Sequence, residues 1–289
     1  MKLSVFVVTY NQEKFIRECL NSILMQEVDF EYEVIIGDDC SIDRTSSICD
    51  EFAEKYPFIQ VYHHKRNKGL LGNWEFVMNK CQGEYIALLE GDDYWIDAKK
   101  LQRQVSWMDE HPEFTLTFTR ARIQYENGAS PGAETQLISL KEREYNIKEI
   151  CSSIVSLSSS VVMRNCIKPV HYCNQLLYAD TYTFIELLQK GKGYGFDIPT
   201  VVYRVHKDNL SYKGDFNFFM RSYNQCLFFI KKYPHLRCIY IEEAEKNLSH
   251  LLFDKNRSLK YRIKWMLLHP RLLFSKFLLT TIWRYWLKC

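Results

Sequence analysis

Three clusters of polar side chains in the first hundred residues have the composition needed to grip a charged small molecule. Glu90-Gly91-Asp92-Asp93-Tyr94-Trp95 sets carboxylates one residue apart. Such a pair can face one hard cation, because Mg2+ or Mn2+ is normally held by one or two carboxylates, with phosphate oxygens completing the shell. A cation there would neutralise a departing diphosphate as a Lewis acid. A solvated acidic turn is the competing reading. In Asp38-Asp39-Cys40-Ser41-Ile42-Asp43-Arg44-Thr45, a carboxylate can accept from a base N–H or a ribose hydroxyl. Helix capping accounts for Ser41 or Asp43 and leaves Asp38 and Asp39 unexplained. In Thr9-Tyr10-Asn11 the ring could pack on a nucleobase or fill a core.

The elements that must position these clusters alternate between two periods. Leu3–Thr9 is a continuous apolar run, as in a strand buried on both faces. Asn11 then reads as a helix N-cap, with Phe15, Ile16, Cys19, Leu20, Ile23 and Leu24 at helical spacing. Strands are expected at Glu33–Gly37, Ile59–His63 and Tyr85–Leu89, with helices marked by Ile48 and Phe52 and by Trp74–Lys80. This alternation implies a parallel α/β sheet, in which ligands sit at the carboxyl ends of strands. All three clusters fall where a strand stops. Beyond them, Leu101–Met108 reads as a helix and Phe114–Thr119 as a strand. Residues 120–150 read as a polar surface excursion, and Ser152–Ser160 as a loop feeding a strand. A helix near 180–190, a last strand at Thr200–Val205 and helix from about 215 onward complete the reading.

Taken together and in this order, the clusters resemble the inverting family-2 glycosyltransferases. Their marks are a T/P-Y-N turn after the first strand, a DDxSxDxT segment after the second and a DxD-type motif after the fourth. Gly91-Asp92-Asp93-Tyr94-Trp95 followed by Lys100-Leu101-x-x-Gln104 is similar to one subgroup. The resemblance covers residues 2–120 closely and 150–210 more loosely. It implies the GT-A fold, a mostly parallel Rossmann-like α/β sheet with flanking helices, here with a C-terminal helical extension. It further implies a nucleotide diphosphate sugar donor (UDP by resemblance), Mn2+ or Mg2+, and inverting single displacement onto a hydroxyl of a glycan or lipid-linked glycan. Thr9, Tyr10, Glu13, Asp38 and Asp39 would lie at the donor, with Glu90 and Gly91, while Asp92 would bind the metal. The first acid of the usual motif is here Glu90, whose longer side chain leaves its contact open. Asp180, before an apolar-periodic stretch, fits the family's general base or a plain N-cap. In Tyr203-Arg204-Val205-His206, Arg204 would offset phosphate charge and His206 complete the metal shell.

Charge is unevenly placed. No Asp or Glu follows Asp254, and eight basic residues follow from position 256: Arg257, Lys260, Arg262, Lys264, Arg271, Lys276, Arg284 and Lys288. A nucleic-acid enzyme would carry positive charge across its working face, so no nucleic-acid partner is expected. Between them lie Trp265, Trp283, Trp286 and several Leu, with no uncharged run near the ~20 residues of a membrane span. A basic helix of this kind can lie on an anionic membrane surface, so a peripheral location at the cytoplasmic face of the membrane is expected; a helix packed on the body or on a second subunit is the competing reading. None of the ten cysteines forms a CxxC pair, and no signal-peptide pattern opens the chain, which fits reduced thiols in the cytoplasm. The expected domains are 1–212, divided into a nucleotide-sugar half (1–98) and an acceptor half (99–212), and a helical extension at 213–289. A dehydrogenase would need GxGxxG after the first strand, and a nucleotidylyltransferase a Gly-rich basic turn; Val8–Glu13 has no glycine. A non-catalytic glycan- or nucleotide-binding protein on the same fold is the alternative.

Overall fold

The structure is a computed structural model that describes residues 1–126, 135–136, 140–152, 157–168, 170–172, 176–206, 209 and 216–252. The chain divides into two compact units, one of residues 1–172 with 178–206 and one of residues 173–177 with 207–289.

The first unit begins with β1 (Leu3–Thr9), α1 (Ile16–Leu24), β2 (Tyr32–Asp38), α2 (Thr45–Lys55), β3 (Ile59–His63), α3 (Gly69–Lys80) and β4 (Tyr85–Glu90). β1 pairs in parallel with β2 and β4, and β2 in parallel with β3. The apolar run of β1 is buried along its whole length because both sheet faces are covered. Leu3, Val5 and Val7 enter one core with Ile16, Leu20 and Ile23, while Phe6 and Val8 enter the other with Trp74, Val77 and Met78. Each such side chain contributes about 1.5–3 kcal/mol by leaving water.

The sheet continues through β5 (Tyr94–Trp95), α4 (Lys100–Glu110), β6 (Phe114–Tyr125), β7 (Thr135–Gln136), β8 (Arg143–Tyr145), α5 (Ile147–Ser152), β9 (Val162–Arg164), α6 (Ala179–Leu188) and β10 (Lys192–Val205). Its order is β3-β2-β1-β4-β9-β6-β10-β5, with β7 on β6 and β8 on β10. β9 is antiparallel to both β4 and β6, so it joins the parallel first half to the parallel β6–β10 pair.

Several boundaries differ from the sequence reading. α1 starts at Ile16, and Asn11 is no cap: it takes φ 51°, the left-handed region that Asn tolerates better than most residues. α2 starts at Thr45, and Asp43 contributes by accepting the Thr45 N–H at 2.9 Å. β6 runs on through Arg120–Tyr125, and β8 and α5 occupy part of the expected excursion. β10 begins eight residues before Thr200, because its glycine- and aromatic-bearing first half pairs with β6 and β8.

In the second unit, α7 (Phe216–Lys232) and α8 (Arg237–Leu252) form a helical hairpin turned at Pro234–Leu236. Phe229 and Tyr240 face each other across it at 4.8 Å. The helical and membrane-surface expectations for residues 257–289 lie outside the described residues.

Candidate active site

The turns after β1 and β2 are laced together. The Asp39 N–H donates to Thr9 O at 3.0 Å. Asn11 gives its N–H to Ser41 Oγ and takes the Ile42 N–H on Oδ1, both at 2.9 Å. The Glu13 N–H donates to Asp43 Oδ2 at 3.1 Å, and Glu13 Oε2 accepts the Arg44 N–H at 3.0 Å. Glu13 thus braces the two turns. The lacing holds Tyr10 outward, 45% exposed, and its ring meets no other ring among the described residues.

The two aspartates at the end of β2 have separate tasks. Asp38 is buried and accepts from Ser41 and Ser46 hydroxyls and the Ser41 N–H, with His63 Nδ1 3.0 Å from Oδ2. Burial opposes its charge, but these donors outweigh it and hold the carboxyl below its ordinary value. Asp39 accepts the Lys68 N–H on Oδ1 at 2.7 Å, and its other oxygen receives no hydrogen bond among the described residues. Asp39 is therefore the acid of this pair with an oxygen to offer.

Between β4 and β5, the acidic turn lies against the end of β1. A Cβ on Gly91 would stand 2.5 Å from Gln12 Oε1 and 2.9 Å from Thr9 Oγ1, so glycine is required by close approach. Asp93 is fully enclosed, its oxygens taking the Arg204 N–H at 3.0 Å and the Ser159 hydroxyl at 2.6 Å. Half-buried Glu90 accepts from the Ser158 hydroxyl. Burial first, then the Asp92 carboxylate, push Glu90 up to about 8; burial, Asp92 and Glu90 likewise raise Asp93 well above its ordinary range. Negative charge crowded this closely favours a cation.

Asp92 Oδ2 meets His206 Nε2 at 3.0 Å, and the His206 ring stacks on Phe15 with centroids 5.0 Å apart. Arg204 is buried. It donates to Asp92 O at 2.8 Å, pairs with Glu18, and lies 4.4 Å from the Tyr94 ring and 5.2 Å from Phe15. The guanidinium expected at phosphate is thus engaged in holding the turn. Sequence reasoning missed Glu18, Phe15 and the serines of 158–160 as neighbours of this turn, since nothing in their local pattern distinguishes them from helix-surface, helix-entry and loop residues.

Asp180 sits in the first turn of α6, not at its cap, which is Tyr178. Asp180 Oδ1 accepts the Thr181 N–H at 2.5 Å. Burial raises the Asp180 carboxyl, with the Thr181 bonds opposing, and its charge is felt at Glu90. The acid of α6 and the acidic turn therefore share one electrostatic environment.

The fit to a divalent ion can be judged from the donor atoms. Among the described residues no group of three or more His, Cys, Asp and Glu is placed to hold a metal. Two cis ligands of an octahedral ion at 2.0–2.1 Å stand about 3.0 Å apart. That is the Asp92–His206 spacing. A carboxylate and an imidazole with oxygen ligands supplied by a bound diphosphate suit Mn2+ or Mg2+.

Comparisons to known proteins bear on the family and the fold. Residues 4–167 match the Glycosyl transferase family 2 model. The protein Rv1520 of Mycobacterium tuberculosis is 44% identical over 128 residues, which are 44% of this chain and 37% of that one. The poly(ribitol-phosphate) beta-N-acetylglucosaminyltransferase TarS of Staphylococcus aureus is 37% identical over 113 residues, 38% of this chain and 19% of TarS. The aligned segment thus spans well under half of either relative. The crystal structure of TarS 1–349 with UDP-GlcNAc superposes at TM-score 0.68 and 20% identity over 92% of this chain and 79% of that one. The mannosyltransferase PcManGT of Pyrobaculum calidifontis, in complex with GDP-Man and Mn2+, superposes at 0.61 and 16% identity over 96% and 82%. The two superpositions establish the fold as GT-A, and with more than half its length matched by the family model, the chain belongs to glycosyl transferase family 2.

Proposed function

We propose that this protein transfers a sugar from a nucleotide diphosphate donor, UDP being the favoured carrier, to a hydroxyl of a glycan or lipid-linked glycan. The observation that carries the reading is the meeting of Asp92 and His206 at the acidic turn, which presses through Gly91 against the laced end of β1. Tyr10 offers a ring to the base, and Asp39 an oxygen to a base N–H or ribose hydroxyl. Asp92 and His206 are the residues that would hold the divalent ion. When bound, that ion would stabilise charge on the departing diphosphate.

The reaction assigned to these residues is a single displacement. The acceptor oxygen bonds to the anomeric carbon as the bond from that carbon to the diphosphate oxygen breaks, and Asp180 takes the hydroxyl proton, inverting the configuration. Glu13, Asp38 and Arg204 act as positioning residues: Glu13 and Asp38 shape the nucleoside turns, and Arg204 the acidic one. TarS carries UDP-GlcNAc in its crystal structure and PcManGT carries Mn2+, which supports a nucleotide sugar and a divalent ion here.

No helix among the described residues is long and apolar enough to cross a membrane. The basic, Trp- and Leu-bearing stretch 257–289 supports peripheral attachment to an anionic surface. Deleting it should shift the protein away from membranes, and unchanged sedimentation with them would remove that part of the reading.

The central test is a panel of nucleotide sugars assayed with and without Mn2+ and Mg2+, with the product identified. Metal-dependent transfer or donor hydrolysis is expected. Nucleotide binding that is indifferent to metal, with no turnover on any donor, would favour a non-catalytic binding protein.

A further inference from the structure

Ser158, Ser159 and Ser160 form a short 3-10 turn, and all three side chains are buried, at 7%, 0% and 0% exposure. Buried hydroxyls must find partners. Those of Ser158 and Ser159 reach the acidic turn, while Ser160 donates to Leu157 O at 2.7 Å. Ser158 donates to Glu90 Oε1. Ser159 donates to Asp93 Oδ2 at 2.6 Å, and its oxygen accepts the Glu90 N–H at 3.3 Å. A hydroxyl has one proton and two lone pairs, so Ser159 links Glu90 and Asp93 through one atom.

The serine turn is itself anchored. Trp95 Nε1 donates to Ser159 O at 2.9 Å, and Gln104 Nε2 donates to Ser160 O and to Thr117 Oγ1, both at 3.2 Å. Gln104 Oε1 accepts from buried Lys100 Nζ at 2.7 Å, and that ammonium lies 4.8 Å from the Trp95 ring. The Leu88 N–H donates to Val161 O at 3.1 Å, tying the end of the turn to β4. Serine hydroxyls on this frame are fixed points and not mobile surface groups.

Resting on the metal-assisted reading above, we propose that Ser158 and Ser159 are positioning residues that hold Glu90 and Asp93, so that Asp92 between them is fixed toward the metal. Glu90 is then a strut, although it occupies the place of the first acid in the motif. Ser158 engages one Glu90 oxygen. Both Asp93 oxygens are engaged, by Ser159 and the Arg204 N–H, while Asp92 directs Oδ2 at His206. Without Ser159 the Asp93 carboxylate loses its buried hydroxyl donor and Asp92 loses its fixed aim.

Calorimetry of UDP binding at a series of Mn2+ concentrations tests this without turnover. Ser158→Ala and Ser159→Ala should weaken Mn2+ about 10–100-fold, the range seen when groups behind a metal ligand are removed. Their UDP affinity without metal should stay near wild type, while their metal-free melting temperature should fall by several degrees, because a buried carboxyl loses its hydroxyl donor. Ser158→Thr, which keeps the hydroxyl, should restore Mn2+ binding. Glu90→Gln should also keep it, because the amide oxygen still accepts from Ser158. Loss of Mn2+ affinity in Glu90→Gln as severe as in Asp92→Asn would make Glu90 a ligand and overturn the proposal. Wild-type Mn2+ affinity in both serine-to-alanine variants would overturn it as well. A wild-type protein whose UDP binding ignores Mn2+ would remove the metal-assisted reading itself, and the proposal with it.

Discussion

His206 Nε2 lies 3.0 Å from Asp92 Oδ2 across a sequence separation of 114 residues. Two strand ends create the meeting. β4 delivers Asp92 just past its carboxyl end, and β10 delivers His206 one residue past its own. Phe15 fixes the plane of the imidazole, and Arg204 holds the backbone of the turn. Neither partner is a ligand set alone, but together they provide adjacent oxygen and nitrogen donors.

Asp92→Asn and His206→Ala should therefore fail in the same way, through the metal. A Lewis acid is worth several kcal/mol at a departing phosphate, so about 3 kcal/mol lost corresponds to roughly 100-fold in rate. Titrating transfer with Mn2+ should show a much higher half-saturating concentration for His206→Ala and no response for Asp92→Asn. Wild-type Mn2+ curves in both variants would separate this pair from the metal.

Asp180 makes a second prediction, with a direction in pH. A base must be ionised to accept a proton, and burial raises this carboxyl above its ordinary value. Turnover should rise with pH through that raised value, placing the acid limb of kcat above the ~3.9 of a free aspartate. Asp180→Asn should lower kcat about 100- to 10,000-fold with little change in donor KM. A variant that turns over normally, or a KM effect alone, would return Asp180 to a structural role.

The strand–helix rhythm of residues 3–90 was legible because strands buried on both faces read as unbroken apolar runs, as in Val5-Phe6-Val7-Val8. The acids at strand ends were legible for the same reason: the run stops at Asp38 and at Glu90. What each acid touches was not. Asp38 and Asp39 are adjacent and alike in sequence, yet one is surrounded by Ser41, Ser46 and His63 while the other keeps an oxygen available. That division depends on β3 placing His63 beside Asp38, a pairing set by tertiary register. Lys100 and Gln104 were visible as a spaced pair, and the fold supplies the reason: a buried ammonium, pushed down to about 7 by burial, whose amide partner anchors the serine turn. The start of β10 was hidden because Gly193 and Gly195, weak strand formers, alternate with Tyr194 and Phe196 and leave no run like the Val201-Val202 of its end.

Gly91→Ala should separate local packing from chemistry. The new methyl would meet Gln12 Oε1 at 2.5 Å, which can swing away, and Thr9 Cβ at 3.0 Å, which cannot. Relief must come from the acidic turn moving off β1. Overpacking of this kind costs about 1–3 kcal/mol, so UDP affinity in the presence of Mn2+ should fall about 5- to 100-fold. The fold should survive, with far-ultraviolet circular dichroism unchanged. Undiminished nucleotide binding would show that the turn need not press on Thr9.

The Asp38–His63 contact should make stability depend on pH in a defined window. Asp38 is depressed by its hydrogen bonds against burial, so its contribution is present above its ordinary 3.8 and is lost as pH falls through its lower folded value. For His63, burial opposes the imidazolium, but the bonds to Asp38 and Asp50 prevail and raise it above 6.5. Its contribution is complete below 6.5 and fades as pH rises through the folded value. The stability lost in His63→Gln should thus be greatest near about pH 5.5, where both partners are charged, and should shrink toward about pH 9. Asp38→Asn should behave differently, losing about 1.5–3 kcal/mol at neutral pH and keeping most of that loss at about pH 9, because the half-buried Ser41 and Ser46 donors lose a charged, buried acceptor whatever the state of His63. Urea unfolding of the three proteins at both pH values measures the two differences. A His63→Gln penalty that is the same at both would mean that the imidazole acts by packing and carries no charge toward Asp38.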